Sequence, residues 1–390
     1  MILANIAGQM LYSMLSLYLI NLGAKVSQIG LVFTLASLVP MVLQIFGGWL
    51  SDTIGRLRVI ALGSSFAVFG YLIIALSPSW EWVLLGLSVE YISNSMVGPS
   101  FSAYISEQSD EKQRGRVFGL TSSIYMTVTV IGPALAGILA YRFGFKTMMG
   151  IALAFYASAT LLRLWMATSE HFAAQKTAQR PTIEGFKTQI SAVFTLLFAG
   201  GIITWIWLTD AIGDTAANMI DQLTPIYLSD FGGLNVQQIG FLNAIRGVAI
   251  IITSPLAGRL VDRISERAAI VTGFALQAVG LALFLMTPSL IGFIMAMIIF
   301  GAAIGCIIPG YDSLISKVVP DDKRGMAFGL FGTTLGILSL PMPWIGAQLW
   351  ESFSPQTPYG LVVIACLISI IIVWNKFRLP KPQLDVAVMD

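Results

Sequence analysis

The sequence predicts an all-α integral membrane protein, in which twelve transmembrane helices form two pseudo-symmetric six-helix bundles. The 390 residues are 56% hydrophobic but only 11% charged, and the mean hydropathy is +0.81. A soluble domain carries about 25% charged residues. The apolar segments have the length of about 20 residues that a helix needs to cross a bilayer. The second half of the chain also repeats the residue pattern of the first.

Twelve apolar segments of this length follow one another along the chain. They lie at residues 1–22, 28–50, 59–77, 82–106, 116–140, 147–168, 199–230, 237–260, 268–287, 290–316, 325–350 and 359–377, and we number them spans 1 to 12. The longest polar stretch, about 169–190, follows span 6 and contains His171, which we interpret as a solvated loop residue. The predicted organisation is an N-terminal bundle at 1–168, a cytoplasmic linker at 169–198, a C-terminal bundle at 199–377 and a cytoplasmic tail at 378–390.

The positions of Lys and Arg predict that both termini are cytoplasmic. In this orientation seventeen of the 22 basic residues fall in cytoplasmic loops or tails. Only Lys25, Arg142 and Lys146 fall outside, whereas Arg163 and Arg246 lie within spans. Cytoplasmic loops of membrane proteins carry an excess of Lys and Arg. We therefore expect a multi-pass protein of the plasma membrane with this orientation.

The internal repeat relates residue i to residue i + 210 without gaps. Matched glycine, proline, aspartate and arginine residues carry the argument, because apolar residues coincide easily by chance. The matched pairs include Gly30 and Gly240, Gly48 and Gly258, Asp52 and Asp262, Pro99 and Pro309, Arg114 and Arg324, and Pro133 and Pro343. An even number of spans in each half gives both halves the same membrane orientation, so the axis that relates them runs along the membrane normal.

Two loops of the repeat carry a recognisable motif. The stretch between spans 2 and 3 reads Gly48-x-Leu50-x-Asp52-x-x-Gly55-Arg56-x-Arg58. It resembles the signature of the major facilitator superfamily, and the stretch Gly258-x-Leu260-x-Asp262-Arg263 resembles its degenerate second copy. Thr53 stands where a basic residue is usual, and Ser265 replaces the turn glycine of the second copy. The resemblance covers nearly the whole chain, including Arg114 and Arg324 before spans 5 and 11, and it implies a transporter that works by alternating access.

The resemblance implies a gating role for the motif. Asp52 ends span 2 on the cytoplasmic side, and in the family pattern it faces the start of span 11, while Asp262 faces the start of span 5 near Arg116. A carboxylate at the positive N-terminal end of a helix contributes about 0.3–2 kcal/mol. We expect these contacts to hold the cytoplasmic side shut. The alternative is a solvated loop that carries only the positive-inside charges.

Ionisable residues of spans 7 and 8 are candidates for substrate binding and proton coupling, because charge inside a bilayer is costly and usually functional. At about 100° per residue, Asp210, Asp214 and Asp221 share one face of span 7, with Asn218 close to it. Arg246 in span 8 is expected to pair with one of these acids. The acids left unpaired are candidate proton carriers. The alternative is that Asp210 is hydrated at the cytoplasmic mouth and Asp221 faces an outer vestibule.

The first bundle supplies a second set of candidates. Span 4 carries Glu90, and span 1 presents a polar stripe that includes Gln9 and Tyr12. Substrate sites of such repeat-built transporters lie near the bilayer midplane, between the repeats. We therefore expect these side chains to line the same cavity as the acids of span 7.

The sequence favours a proton-coupled secondary active transporter that acts as a multidrug or metabolite exporter. Because intramembrane acids outnumber bases, the favoured substrates are amphipathic or cationic compounds. The run Gly132 to Gly137 in span 5 resembles in part the helix 5 signature of drug:proton antiporters, with Val128 in place of a glycine and Leu87 near the position of an expected arginine. One alternative is a symporter for a sugar or a small anionic metabolite, with Arg246 as the substrate-binding cation. Another is a membrane receptor that has lost transport.

Other function classes receive no support from the residues. No nucleotide-binding loop is present, and Cys306 and Cys366 lie in separate spans, which argues against a metal cluster or a disulfide framework. We expect no enzyme activity, no cofactor, no metal and no nucleic-acid partner. The expected partners are a small-molecule substrate, protons and the lipid bilayer, and we expect the chain to act as a monomer.

Overall fold

The computed structural model describes residues 1–109, 114–169, 201–319 and 324–377, so the predicted tail and all of the predicted linker except Ser169 lie outside the described residues. The helices of the first half are α1 Ile2–Asn21, α2 Val26–Ile54, α3 Arg56–Leu76, α4 Trp80–Gln108, α5 Arg114–Phe143 and α6 Phe145–Thr168. Those of the second half are α7 Ile202–Asp221, α8 Thr224–Asp230, α9 Val236–Arg263, α10 Glu266–Met286, α11 Leu290–Val318, α12 Arg324–Ser339, α13 Met342–Ser352 and α14 Thr357–Lys376.

Two predicted spans are broken into two helices. Span 7 becomes α7 and α8, which restarts at Thr224 with Pro225 in its first turn. Span 11 becomes α12 and α13, which are separated at Leu340 and Pro341. Proline has no backbone N–H and clashes with the carbonyl four residues before it, so it fits the first turn of a helix better than its interior. Each predicted span is therefore interrupted at a proline.

Length and composition identify eight described helices that can cross a membrane. They correspond to spans 1, 3, 5, 6, 8, 9, 10 and 12. Among the other four, span 4 carries Glu90, and spans 7 and 11 are the broken ones. Polar residues and helix breaks are tolerated at membrane depth where the backbone is buried in protein or lines a cavity.

The two halves pack against each other through equivalent pairs of helices. The most extensive contacts between the halves join α5 with α9 and α2 with α13. Spans 5 and 11 are partners in the repeat, as are spans 2 and 8, so these two contacts are related by the pseudo-symmetry. The two-bundle architecture with twelve spans is therefore present.

The two ends of the bundle differ in their connections. We call the end with Arg56, Arg58, Arg263 and Arg267 the basic end, and the end where α2 and α9 begin the short-loop end. Each of these two helices begins with the same cap. The side-chain oxygen of Gln28 accepts a hydrogen bond from the backbone N–H of Lys25 at 2.8 Å, and that of the repeat partner Gln238 accepts one from Asn235 at 2.9 Å.

Close backbone contacts hold the halves together near the short-loop end. A Cβ atom on Gly240 of α9 would lie 2.6 Å from the carbonyl oxygen of Pro133 and 2.8 Å from Cα of Gly137 in α5. A Cβ on its repeat partner Gly30 would lie 2.9 Å from Cα of Trp344 in α13. Only glycine fits such approaches without displacement of the neighbouring helix. The matched glycines of the repeat thus mark where the halves touch.

Candidate functional site

A cavity in the first half runs from mid-helix to the basic end. It has a volume of about 730 Å³, and its lining extends from Tyr12 and Glu90 to Ile105 and Phe118. A second cavity, about 360 Å³, lies between the halves and contacts Gln9, Tyr12, Asp221 and Arg246. A third, also about 360 Å³, lies in the second half and contacts Asp210, Asp214, Asp221 and Arg246. Gln9 and Tyr12 thus line a cavity together with Asp221 and Arg246, as expected. Glu90 does not line the same cavity as the acids of span 7, because it faces the first-half cavity alone. Asn218 lines none of these three cavities and borders a further one with Asp214.

Glu90 forms the centre of a hydrogen-bonded cluster in the first half. Its side chain is buried, with 2% of the residue exposed. The Tyr12 hydroxyl donates to Oε2 at 2.7 Å, and Nδ2 of Asn94 lies 3.3 Å from both carboxylate oxygens. Nδ2 of Asn94 also donates to the Tyr12 hydroxyl oxygen at 3.1 Å. Glu90 forms no ion pair with any residue that the structure describes. It is a buried acid held by neutral donors alone.

Aromatic rings surround this cluster. Tyr12 stacks with Tyr91 at a centroid distance of 6.2 Å, and Tyr71 stacks with Tyr156 at 5.0 Å. Within the described part of the chain the buried Tyr71 hydroxyl has no hydrogen-bond partner. Gln9, one helical turn before Tyr12, donates to the Tyr125 hydroxyl at 3.4 Å. An acid walled by tyrosine rings can accommodate an organic cation, because ring faces attract positive charge.

The acids of span 7 have separate surroundings. Asp221 pairs with Arg246 at 3.7 Å, and 52% of the Asp221 side chain is exposed to the space between the halves. Asp214 accepts a hydrogen bond from the Ser339 hydroxyl at the break in span 11, and Nδ2 of Asn218 donates to the Asp214 carbonyl at 2.9 Å. The structure thus brings Arg246 to Asp221 and leaves Asp214 with neutral partners.

Asp210 lies in an acidic environment near the basic end of span 7. The negative charges of Asp214 and of Asp312 in α11 both act on it. The hydroxyl of Tyr311, beside Asp312, donates to Thr209 at 2.8 Å. The predicted acid of span 7 therefore has a further acid, Asp312, from a neighbouring helix in its surroundings.

The gating residues are described only in part. The side chains of Gly48, Asp52, Arg114 and Arg324 lie outside those that the structure describes. In the second copy, Gly258 lies in α9, which ends at Arg263, and Asp262 is exposed without a hydrogen bond or ion pair to another described residue. The predicted contact of Asp262 with the start of span 5 is not made with the described residues of this conformation.

The turn between spans 2 and 3 shows why its glycine is needed. Gly55 joins α2 to α3 with φ 98°, a conformation that residues with a Cβ rarely adopt. The equivalent Ser265 is extended, with φ 177°, and its hydroxyl accepts a hydrogen bond from the backbone N–H of Ala268 at 3.1 Å. The second copy of the motif replaces glycine with a helix cap, which explains the departure from the family pattern.

The basic end carries two ion pairs at equivalent positions with opposite polarity. In the first half, Nη2 of Arg56 at the start of α3 lies 3.0 Å from Oε1 of Glu107 at the end of α4. In the second half, Glu266 at the start of α10 pairs with Lys317 at the end of α11. The offset of 210 relates Arg56 to Glu266 and Glu107 to Lys317. A search for identical residues does not detect this correspondence, because the charges are exchanged.

Sequence reasoning missed several residues of the site. Asn94 follows Glu90 by four residues and therefore shares its helix face, a signal that was available. Asp312 is a lone acid in the apolar span 10 and was also detectable. Ser339 gave no signal, because its contact with Asp214 depends on the break in span 11.

Comparisons with known proteins agree along the whole chain. The family model described as Major Facilitator Superfamily matches residues 1–235 and 233–387. The multidrug resistance protein MdtG of Citrobacter koseri is 24% identical over 357 residues, which cover 90% of this chain and 84% of that protein. The multi-drug resistance efflux pump PmrA homolog of Lactococcus lactis is 24% identical over 387 residues, which cover 96% of this chain and 92% of that protein.

A solved structure shares the fold. A mutant of the nucleoside transporter NupG superposes with a TM-score of 0.78 at 15% sequence identity, over 97% of this chain and 98% of that one. At this identity the likeness concerns the arrangement of helices alone. That arrangement is the two-bundle one described above.

Proposed function

We propose, from the premise that this chain belongs to the major facilitator superfamily, that it exports amphipathic cationic compounds in exchange for protons. As a member of the family it is a multi-pass secondary active transporter of small molecules. The names of its relatives, a multidrug resistance protein and a multi-drug efflux pump, support export of several compounds rather than uptake of one. One chain contains both halves and the cavity, so we propose that a monomer suffices.

The observation that carries this proposal is the buried Glu90 without a cationic partner. An isolated charge in a low-dielectric interior is costly unless it is neutralised or paired. A proton neutralises it, and so does the ammonium group of a bound substrate. The two occupants exclude each other at one carboxylate, which is the requirement for exchange. Tyr12 and Asn94 hold the carboxylate towards the cavity, and the tyrosine rings supply an apolar wall for the rest of the molecule.

The charge distribution supports one orientation in the membrane. We propose that the basic end faces the cytoplasm, because Lys and Arg collect on that side of membranes. The close contacts of Gly30 and Gly240 then shut the outer side, while the first-half cavity reaches the cytoplasmic end. A substrate enters this conformation from the cytoplasm, as the loading step of an exporter requires.

The second half is proposed to carry further proton-coupling groups in addition to Glu90. The charges of Asp214 and Asp312 both act on Asp210, and a proton on one of these acids relieves that repulsion. Asp214 also contacts Ser339 at the break of span 11, so its protonation state acts on a point where the helix can bend. The gating residues Asp52 and Asp262 are proposed to contact spans 11 and 5 when the basic end closes.

A second candidate function rests on Arg246. Its guanidinium lies 3.7 Å from Asp221, beyond hydrogen-bond distance, and both side chains reach the space between the halves. A small anionic metabolite can replace Asp221 as the partner of Arg246. In that case the chain is a proton-coupled symporter, and anions rather than cations bind to it.

The test uses Glu90→Gln in proteoliposomes with an imposed pH gradient and ethidium as the probe cation. We expect driven ethidium flux to fall to the leak of empty liposomes, and ethidium affinity to fall about tenfold or more, because a charge-assisted contact of about 1.5–3 kcal/mol is lost. Glu81→Gln, at an exposed position in the first turn of the same helix, is the matched control and should behave as the unmodified protein. Unchanged driven flux in Glu90→Gln contradicts the proposal.

A further inference from the structure

The side chain of Arg163 in α6 points along the helix towards the middle of the bundle rather than towards the basic end. It lies five residues before the end of α6 at Thr168, where a long basic side chain commonly reaches outward to the headgroups. Its guanidinium instead lies over the ring of Tyr156, 5.8 Å from the centroid and seven residues deeper along the helix. Nη1 donates to the hydroxyl of Ser64 at 2.6 Å. Ser64 is fully buried and lies about 12 Å from the start of α3, at 1.5 Å per residue.

The guanidinium forms no ion pair with the residues that the structure describes. Arginine has five N–H donors, and a neutral serine and a tyrosine ring do not neutralise its charge. An unpaired arginine at this depth is expensive, and such residues ordinarily face a binding site or an ion path. Arg163 lines the same cavity of about 730 Å³ as Glu90. One cavity thus presents an acid at its inner end and an unpaired base nearer its mouth.

Tyr156 separates the two charges. Its hydroxyl lies 3.3 Å from the hydroxyl of Ser93, one turn from Glu90, while its ring faces the Arg163 guanidinium. Glu90 and Arg163 therefore flank a tyrosine instead of neutralising each other. The free space between them is bounded by aromatic and apolar side chains, among them Phe101, Phe118 and Met126.

We propose that Arg163 is an anion-binding subsite, and that the first-half cavity takes zwitterionic amphiphiles with the ammonium group at Glu90 and a carboxylate or phosphate at Arg163. This inference rests on the proposed role of Glu90 in cation binding and extends it to a substrate class. Planar, forked guanidinium donors match the two oxygens of a carboxylate or phosphate. Such a molecule neutralises both charges at once, which a simple cation does not.

The test measures binding of ω-trimethylammonio carboxylates of increasing chain length and of their methyl esters, to the purified protein in an uncharged detergent. Each ester keeps the ammonium group and lacks the anion. At the chain length that reaches both groups, we expect the acid to bind about tenfold or more tightly than its ester, the gain expected for a hydrogen bond between two charged groups. In Arg163→Gln the ratio should fall to about one, with the ester affinity unchanged.

Three further measurements complete the design. Arg163→Lys should retain part of the preference, and Arg142→Gln, at an exposed position at the end of α5, should retain all of it. Phosphatidylglycerol added to the detergent tests whether a lipid phosphate competes for Arg163. If the lipid abolishes the preference for the acid over its ester but leaves ester binding intact, the result supports the anion subsite and identifies lipid as an occupant. Equal affinity of acid and ester at every chain length, or a preference that survives Arg163→Gln, overturns the inference.

The same data separate this inference from the proposed function. If ester binding is insensitive to Glu90→Gln, the proposed cation site is wrong. If ester binding depends on Glu90 but the acid shows no advantage, the cation site stands and the anion subsite fails.

Discussion

Single residues in the first half divide into those that repeat and those that do not. Gly30, Pro99 and Pro133 have identical counterparts 210 residues later, and they shape helices or allow close contact. Glu90 and Asn94 have the counterparts Phe300 and Ile304, so their chemistry occurs once. These repeated glycine and proline residues build the scaffold, whereas the unrepeated Glu90 and Asn94 belong to the proposed substrate site.

The Tyr12 hydroxyl orients the Glu90 carboxylate, and its removal should weaken cation binding. In Tyr12→Phe we expect the affinity for ethidium to fall about tenfold, because a hydrogen bond to a charged group contributes about 1.5–3 kcal/mol. Tyr141→Phe, exposed at the end of α5, is the control. Titration of each purified variant with ethidium, followed by fluorescence, measures the two affinities. Equal affinities of the two variants would show that Tyr12 does not position Glu90.

Helix pairs are the next scale, and the inverted ion pairs of the basic end belong to it. Each pair joins the start of one helix to the end of its neighbour, α3 to α4 through Arg56 and Glu107, and α10 to α11 through Glu266 and Lys317. The acid and the base occur in both orders at equivalent positions. The attraction between the two helices therefore matters for their packing, and which helix carries the positive charge does not.

Exchanging the charges in the second half should therefore be tolerated. Glu266→Lys alone is expected to cost about 1–2 kcal/mol, less than the 3–5 kcal/mol of a fully buried pair because 55% of the Lys317 side chain is exposed. The double variant Glu266→Lys with Lys317→Glu should recover most of the lost stability. Thermal unfolding in detergent, in a double-mutant cycle, measures the coupling. If the stability losses of the two single variants simply add in the double variant, this expectation is wrong.

The sequence predicted helices far better than their interruptions. Spans followed from apolar length, and the pseudo-symmetry from matched Gly, Pro and Asp residues. The breaks in spans 7 and 11 did not follow, since Pro225 and Pro341 interrupt a helix whereas Pro99 and Pro133 lie inside intact ones. Whether a proline bends or breaks a helix depends on the neighbouring helices that receive the freed backbone groups.

The same limit applied to the candidate site. Its acids were visible as charges inside apolar spans, but their partners were not, except that a pairing of Arg246 with an acid of span 7 was anticipated. The contact of Asp214 with Ser339 joins residues 125 positions apart in sequence. The inward turn of Arg163 depends on the positions of Tyr156 and Ser64. Such contacts are set by how the bundle packs.

At the scale of the whole molecule, the two halves touch near the short-loop end, and the first-half cavity extends to the basic end. The contacts of Gly30 and Gly240 act near the short-loop end, while Asp262 makes no described contact at the basic end. Alternating access requires a second conformation in which the short-loop end is open and the basic end is closed. The gating motif is proposed to stabilise this conformation with a closed basic end.

Asp262→Asn should leave this conformation unchanged and destabilise the one with a closed basic end. We expect the closed fraction to fall about two- to fivefold, because the charge–dipole contact contributes about 0.3–1 kcal/mol at an exposed site. Distances between spin labels at the basic ends of α6 and α14 report the two populations. Asp230→Asn, near the short-loop end, is the control. A closed fraction equal to that of the unmodified protein would remove Asp262 from the gate.

The broken spans also constrain how the C-terminal half is inserted into the membrane. At 1.5 Å per residue, α8 measures about 10 Å and α13 about 16 Å, so neither crosses a hydrocarbon core of about 30 Å. Lipid cannot satisfy the backbone groups freed at each break. In the folded protein α8 contacts α1, and α13 packs on α2. The ribosome synthesises α1 and α2 first, so the partners of both short helices are already in the membrane when these helices arrive. A C-terminal half expressed alone would lack them, and co-expression of the N-terminal half should restore its insertion.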